Sequence, residues 1–122
     1  LNVPDHLRYT EEHEWIETRD DGTLRIGITD YAQDQLGDVV FVELLPAGDV
    51  DPGAMVAEVE STKSVAEVYA PVGGQVLEVN GRLADTPEVV NTDPYGEGWF
   101  VVIRPATDVD FLDAEAYRQL IA

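Results

Sequence analysis

Short alternating runs, each stopped by a turn residue, constrain this chain more than any other feature of its sequence. Glu14 to Thr18 and Leu24 to Thr29 read as strands around Asp21-Gly22, a good hairpin turn because both residues tolerate positive φ. Val39 to Leu45, Met55 to Glu60, Val65 to Ala70, Gln75 to Val79 and Trp99 to Ile103 read as further strands. The breaks between them fall at Pro46-Ala47-Gly48, Pro52-Gly53, Pro71 to Gly74 and Asn80-Gly81. Two segments depart from this pattern. Asp30 is placed to cap a short helix near residues 30–36, with Gln33 completing a capping box and Gly37 ending it. Asp113 to Ile121 predicts a C-terminal helix near residues 113–121, with Leu112, Ala116 and Leu120 on one face. Strands dominate, so the expected fold class is mainly β, a sandwich or a barrel. No repeat or linker divides residues 1–122, which are expected to form a single domain.

Composition narrows the possible functions. A length of 122 residues fits one domain, and a hydrophobic fraction of 44% supports a core despite the charge. The chain has 25 acidic against 7 basic side chains, a net charge of -18 that repels nucleic-acid phosphates and anionic lipids. No nucleic-acid and no membrane partner is therefore expected. Without cysteine there is no disulfide framework, thiol nucleophile or Cys-based metal site. No apolar run approaches the roughly 20 residues a membrane span needs. No signal peptide is visible, and a removed presequence would leave no trace. The cytoplasm is the expected compartment, or the mitochondrial matrix if a presequence was removed.

Six of the seven cations are arginines, and Lys63 is the only lysine. It lies in Ser61-Thr62-Lys63-Ser64, between two period-2 runs. Met55, Ala57 and Val59 alternate with Val56, Glu58 and Glu60; beyond the turn, Ala66, Val68 and Ala70 alternate with Val65, Glu67 and Tyr69. This is a β-hairpin with a small polar tip. The tip has no Asn-Gly, so a four-residue connection on a type I turn is expected rather than a primed turn. A lysine at such a tip is ordinarily just solvated. The same geometry also suits covalent modification, because it holds a sterically free amine above a rigid base. The residues alone leave both readings open.

The stretch Val59-Glu60-Ser61-Thr62-Lys63-Ser64-Val65, followed by Ala70-Pro71-Val72-Gly73-Gly74-Gln75-Val76, resembles the lipoyl-attachment segment of the glycine cleavage system H proteins. Tyr9 to Ile16, Gly27 to Val42 and Asn91 to Trp99 resemble other blocks of that family in the same order. The resemblance implies a barrel-sandwich hybrid, the lipoyl/biotinyl-like β-sandwich. It implies a monomeric carrier with no active site of its own, bearing lipoate in amide linkage on Lys63. The implied partners are a lipoate-attaching enzyme and the P, T and L proteins. P protein decarboxylates glycine, T protein passes the one-carbon unit to tetrahydrofolate, and L protein reoxidises the dithiol. A same-family alternative is a relay that passes lipoate to other enzymes.

In that family the loaded arm is thought to fold back into a cleft, whose mouth needs a carboxylate for a cationic amine. The resemblance places Glu14 of His13-Glu14-Trp15 in that role, with Glu67 as a second candidate. Some relatives have a histidine where this chain has Gln35, so no imidazole role is carried to that position. Ser61 and Ser64 are expected to form the turn, and His6 and His13 to meet solvent or a partner. Trp15, Trp99 and Phe100 read as core aromatics, and Asp108, Asp110, Asp113 and Glu115 as capping residues rather than a calcium loop. Among other classes, a biotin acceptor usually flanks its lysine with methionines, whereas Thr62 and Ser64 stand here. A small acid–base hydrolase or an unmodified acidic interaction module would each leave Lys63 without a role.

Overall fold

The computed structural model describes residues 1–122 and pairs nine strands into two antiparallel sheets. The larger sheet orders β1 (Arg8–Tyr9), β2 (Glu14–Thr18), β3 (Leu24–Ile28), β9 (Val101–Pro105), β8 (Gly74–Val79) and β5 (Gly48–Val50). The smaller sheet consists of β4 (Val39–Leu44), β6 (Met55–Ser61) and β7 (Val65–Tyr69). Between β3 and β4 lies α1 (Asp30–Leu36), which carries the chain from one sheet to the other. Two one-turn helices, α2 (Arg82–Asp85) and α3 (Val89–Thr92), precede β9, and α4 (Ala114–Leu120) closes the chain. This is the mainly-β sandwich that the strand pattern predicts, and no helix is long and apolar enough to cross a membrane.

The alternation of the strands sets which residues meet between the sheets. Ile26, Phe100 and Ile103 from one side and Val42, Val59 and Val68 from the other are essentially water-free. Each such side chain contributes roughly 1.5–3 kcal/mol of transfer free energy before ordering entropy is subtracted. A second apolar cluster of Leu7, Tyr9, Trp15, Ala114 and Tyr117 seats α4 against β1 and β2. There Tyr9 stacks on Tyr117 with ring centroids 4.6 Å apart, and Trp15 Nε1 donates to the Pro94 carbonyl at 2.9 Å. Trp15 is paired with Gly27 across β2 and β3, and a Cβ at Gly27 would sit 2.5 Å from Trp15 Nε1. Only glycine lets the indole approach the backbone of β3 so closely.

Several local expectations are corrected. The cap of α1 is Thr29, whose Oγ1 accepts from the Ala32 amide at 3.1 Å, and not Asp30. Thr29 is the extended, fully buried residue after β3, so its hydroxyl reaches the first turn, while Asp30 already lies inside it. Gln33 consequently donates to the Asp30 carboxylate at 2.7 Å and completes no capping box. On α4 the buried face is Ala114 and Tyr117, whereas Ala116 and Leu120 face outward. The stack on Tyr9 turns the helix, because the largest aromatic on it has most apolar area to bury. Asp113 does cap that helix, accepting from the Ala116 amide at 2.8 Å. Val56 is buried beside Ala57 because a register shift between Met55 and Ala57 breaks strict alternation. Trp99 is half-buried and precedes its strand, which begins at Val101.

Candidate functional site

Lys63 stands at the tip of the β6–β7 hairpin, and Ser61 builds that tip. The Ser61 amide donates to the Ser64 carbonyl at 2.8 Å, closing the turn. Ser61 Oγ accepts from the amides of Ser64 at 3.0 Å and Lys63 at 3.2 Å, so one buried hydroxyl holds both loop amides. Neither Thr62 nor Lys63 has positive φ, which excludes a primed turn. The Thr62 amide donates to the Asp38 carbonyl at 3.0 Å, bracing the tip against the start of β4. Asn91 holds that support, its Nδ2 donating to the Gly37 carbonyl at 3.0 Å and its Oδ1 accepting from the Val39 amide at 2.8 Å.

The lysine itself is exposed, and its ammonium has neither a salt bridge nor a hydrogen bond within the chain. Its stem crosses Gly37, where an added Cβ would lie 3.2 Å from Lys63 Cε. Gly37 ends α1 at φ 83 and ψ -163, a region essentially restricted to glycine that costs a residue with a side chain about 1–3 kcal/mol. The glycine therefore both stops the helix and makes room for the lysine stem.

A cavity of about 390 Å³ opens beside this tip, between α1 and β7. Its walls include Ile28, Tyr31, Ala32, Leu36, Val59, Ala66 and Val68; its polar groups are Glu12, His13, Gln35, Ser64 and Glu67. Apolar walls with a few carboxylates suit an aliphatic chain ending in an amine. Glu67, exposed on β7, accepts from the Tyr69 hydroxyl at 2.9 Å. It lies on the third residue of β7, past the turn that carries Lys63.

Glu14 lies elsewhere. It is 2% exposed and belongs to a neighbouring cavity of about 760 Å³ with Tyr69, Ala70 and Phe111. One carboxylate oxygen accepts from Thr10 Oγ1 at 3.0 Å and the other from the Tyr69 amide at 3.0 Å. Since β2 and β7 belong to different sheets, Glu14 bonds the two sheets together behind the cleft. Burial raises its pKa from 4.5 to about 7 despite both donors. Glu14 and Glu67 are thus linked through Tyr69 and do not share one cavity, although Glu12 borders both cavities.

A family model for the glycine cleavage H-protein matches residues 7–122. The chain belongs to the glycine cleavage H-protein family. The glycine cleavage system H protein of Alkalilimnicola ehrlichii is 54% identical over 124 residues, covering 98% of this chain and 95% of that protein. That of Chlorobium limicola is also 54% identical, over 126 residues, covering 99% of this chain and 98% of that protein. The crystal structure of a glycine cleavage system H protein from Mycobacterium marinum superposes with a TM-score of 0.88 at 42% identity, covering 96% of this chain and 97% of that one.

Within this H-protein fold, sequence reasoning missed three site features. Glu12 borders the cleft, and its place in the sequence does not single it out. Tyr31 packs against His13 with ring centroids 4.8 Å apart, and both line the cleft. His13 does not simply meet solvent, because its Nδ1 lies 2.9 Å from the Tyr117 hydroxyl, on a residue 104 positions away. No local pattern could have announced that last contact.

Proposed function

We propose that this chain is the lipoyl carrier of a glycine cleavage system and not itself an enzyme. Lipoate in amide linkage to Lys63 supplies, when bound, a cyclic disulfide that accepts an aminomethyl group together with two electrons, which a chain lacking cysteine does not offer. P protein loads this cargo from glycine, T protein unloads it to tetrahydrofolate, and L protein restores the disulfide. The observation carrying the reading is one unpaired lysine, the only one in the chain, on a turn locked by Ser61 at the rim of an amphipathic cleft.

The residues divide the work as follows. Ser61, Gly37 and Asn91 fix the height and direction of Lys63, so that an attaching enzyme meets a presented amine. The apolar walls take the arm, and Glu67, with Glu12 beside it, meets the cationic end of the cargo. Glu14 supports that carboxylate pair from behind through Tyr69. The acidic surface steers the carrier towards basic docking faces on its enzymes, and the bacterial relatives fit a carrier working in the cytoplasm.

Incubation of the chain with a lipoate ligase, lipoate and ATP should add one lipoyl mass, localised to Lys63 and absent from Lys63→Arg. No added mass would end the reading. Binding to P or T protein should weaken as salt rises, and salt-independent binding would remove the steering claim. In a deletion strain, loss of glycine catabolism alone supports the cleavage role, while loss of all lipoylated proteins points to the relay.

A further inference from the structure

The cleft contains one imidazole, and its hydrogen-bonding state is set from behind by the C-terminal helix. His13 is the only non-glycine residue with positive φ, at 68°. That conformation costs about 1 kcal/mol or more, so specific contacts must hold it. Its amide donates to the Thr10 carbonyl at 3.1 Å, its carbonyl accepts from the Thr29 amide at 3.0 Å, and Nδ1 meets the Tyr117 hydroxyl.

Counting protons along this contact fixes the tautomer. Thr29 Oγ1 is fully buried and accepts from the Ala32 amide; its one other partner is the Tyr117 hydroxyl at 2.7 Å. The Thr29 proton therefore has only the Tyr117 oxygen to go to. If Tyr117 donated to Thr29 instead, a buried hydroxyl proton would be left unpaired, at a cost of about 1–3 kcal/mol. Thr29 thus donates to Tyr117, and Tyr117 donates to His13 Nδ1. A nitrogen that accepts carries no proton, so the neutral ring carries its proton on Nε2. That atom has no partner within the chain, and the ring lines the cleft.

We propose that Tyr117 is a positioning residue for the cleft: it fixes His13 as the Nε2–H tautomer, so that the imidazole presents no basic lone pair to a bound amine. Burial keeps the ring neutral by lowering its pKa, outweighing the opposing pull of Glu12. The proposal rests on the carrier reading, and its chemistry is protective. An amine one carbon from sulfur is stable as the ammonium, the form that the Glu12 and Glu67 carboxylates favour. If a base removes the proton, the nitrogen lone pair expels the sulfur. The C–S bond breaks, sulfur leaves as thiolate, and one water takes the carbon away as formaldehyde and the nitrogen as ammonium. With Nε2 protonated and Nδ1 occupied, His13 cannot be that base.

The test is long-range 1H–15N NMR of the histidines in the full chain without lipoate, with His6 as the internal reference. His13 should show a pyrrole-type Nε2 and a pyridine-type Nδ1. Tyr117→Phe should shift it to a tautomer mixture, while Thr29→Ser, which keeps hydroxyl and cap, should retain the wild-type pattern. A protonated Nδ1 in the wild-type chain, measurable whether or not the variant folds, overturns the proposal, as does an unchanged tautomer in Tyr117→Phe. On loaded protein, formaldehyde release should be several-fold faster in Tyr117→Phe at unchanged lipoyl mass; equal release overturns the protective role. Failure of Lys63 to take lipoate would defeat the carrier reading alone and leave the tautomer result standing.

Discussion

Replacing Glu14 by glutamine should remove a specific part of the pH dependence of stability. The carboxyl is almost water-free and titrates near 7 in the folded chain against 4.5 when solvated. A raised acid pKa means that the folded state holds the proton more tightly than the unfolded chain. Below 4.5 both states are protonated and the contribution to stability is complete. Between 4.5 and 7 the unfolded chain releases the proton first, so stability falls by about 1.4 kcal/mol per pH unit. Above 7 the loss is complete, at about 3 kcal/mol for this one group. Glutamine can still accept from the Tyr69 amide and turn its own amide towards Thr10 Oγ1, so the bond between the sheets survives without charge. Urea unfolding of both chains from pH 4 to 8 isolates the effect, because the other carboxylates cancel in the difference. The wild type should lose about 3 kcal/mol relative to Glu14→Gln across that window, roughly 10 °C in Tm for a domain of this size. Parallel stability curves would refute the claim that desolvation dominates at Glu14.

Three further substitutions probe the frame around the site. Gly27→Ala drives a Cβ to within 2.5–2.7 Å of three indole atoms of Trp15, whose ring is pinned to Pro94; thermal melts should show a loss of about 3 kcal/mol. Ser61→Ala removes the acceptor for the Lys63 and Ser64 amides and should cost about 1–2 kcal/mol, read as faster amide exchange at those two residues and slower lipoyl transfer. Gly37→Ala forces a side chain into positive φ and against the Lys63 stem, and should destabilise by about 1 kcal/mol or more in denaturant while slowing attachment.

What could be read beforehand follows the range of the interactions. The β6–β7 hairpin was legible because alternation and a polar tip are local, and the four ordered blocks around Lys63 tied it to a family. The role of Ser61 as turn former was equally local. The cap of α1 fell one residue early because Thr29 and Asp30 are both competent caps, and burial after β3 decides between them. The buried face of α4 was misread because Leu112, Ala116 and Leu120 share a face by spacing, while the stack of Tyr117 on Tyr9 turns the helix the other way. Glu14 was expected at the mouth of the arm cleft on the strength of the family resemblance. Only the tertiary packing takes its carboxylate from β2 across to β7, with both oxygens committed. The Thr29–Tyr117–His13 chain joins positions 88 and 104 residues apart, beyond any pattern in the sequence.

The most direct measurement is the intact mass of the chain purified from its own cells grown on glycine, with peptide mapping of the tip. The carrier account predicts one dithiolane-bearing acyl group, on Lys63 and nowhere else. A bare Lys63 in cells that are actively breaking down glycine would contradict it.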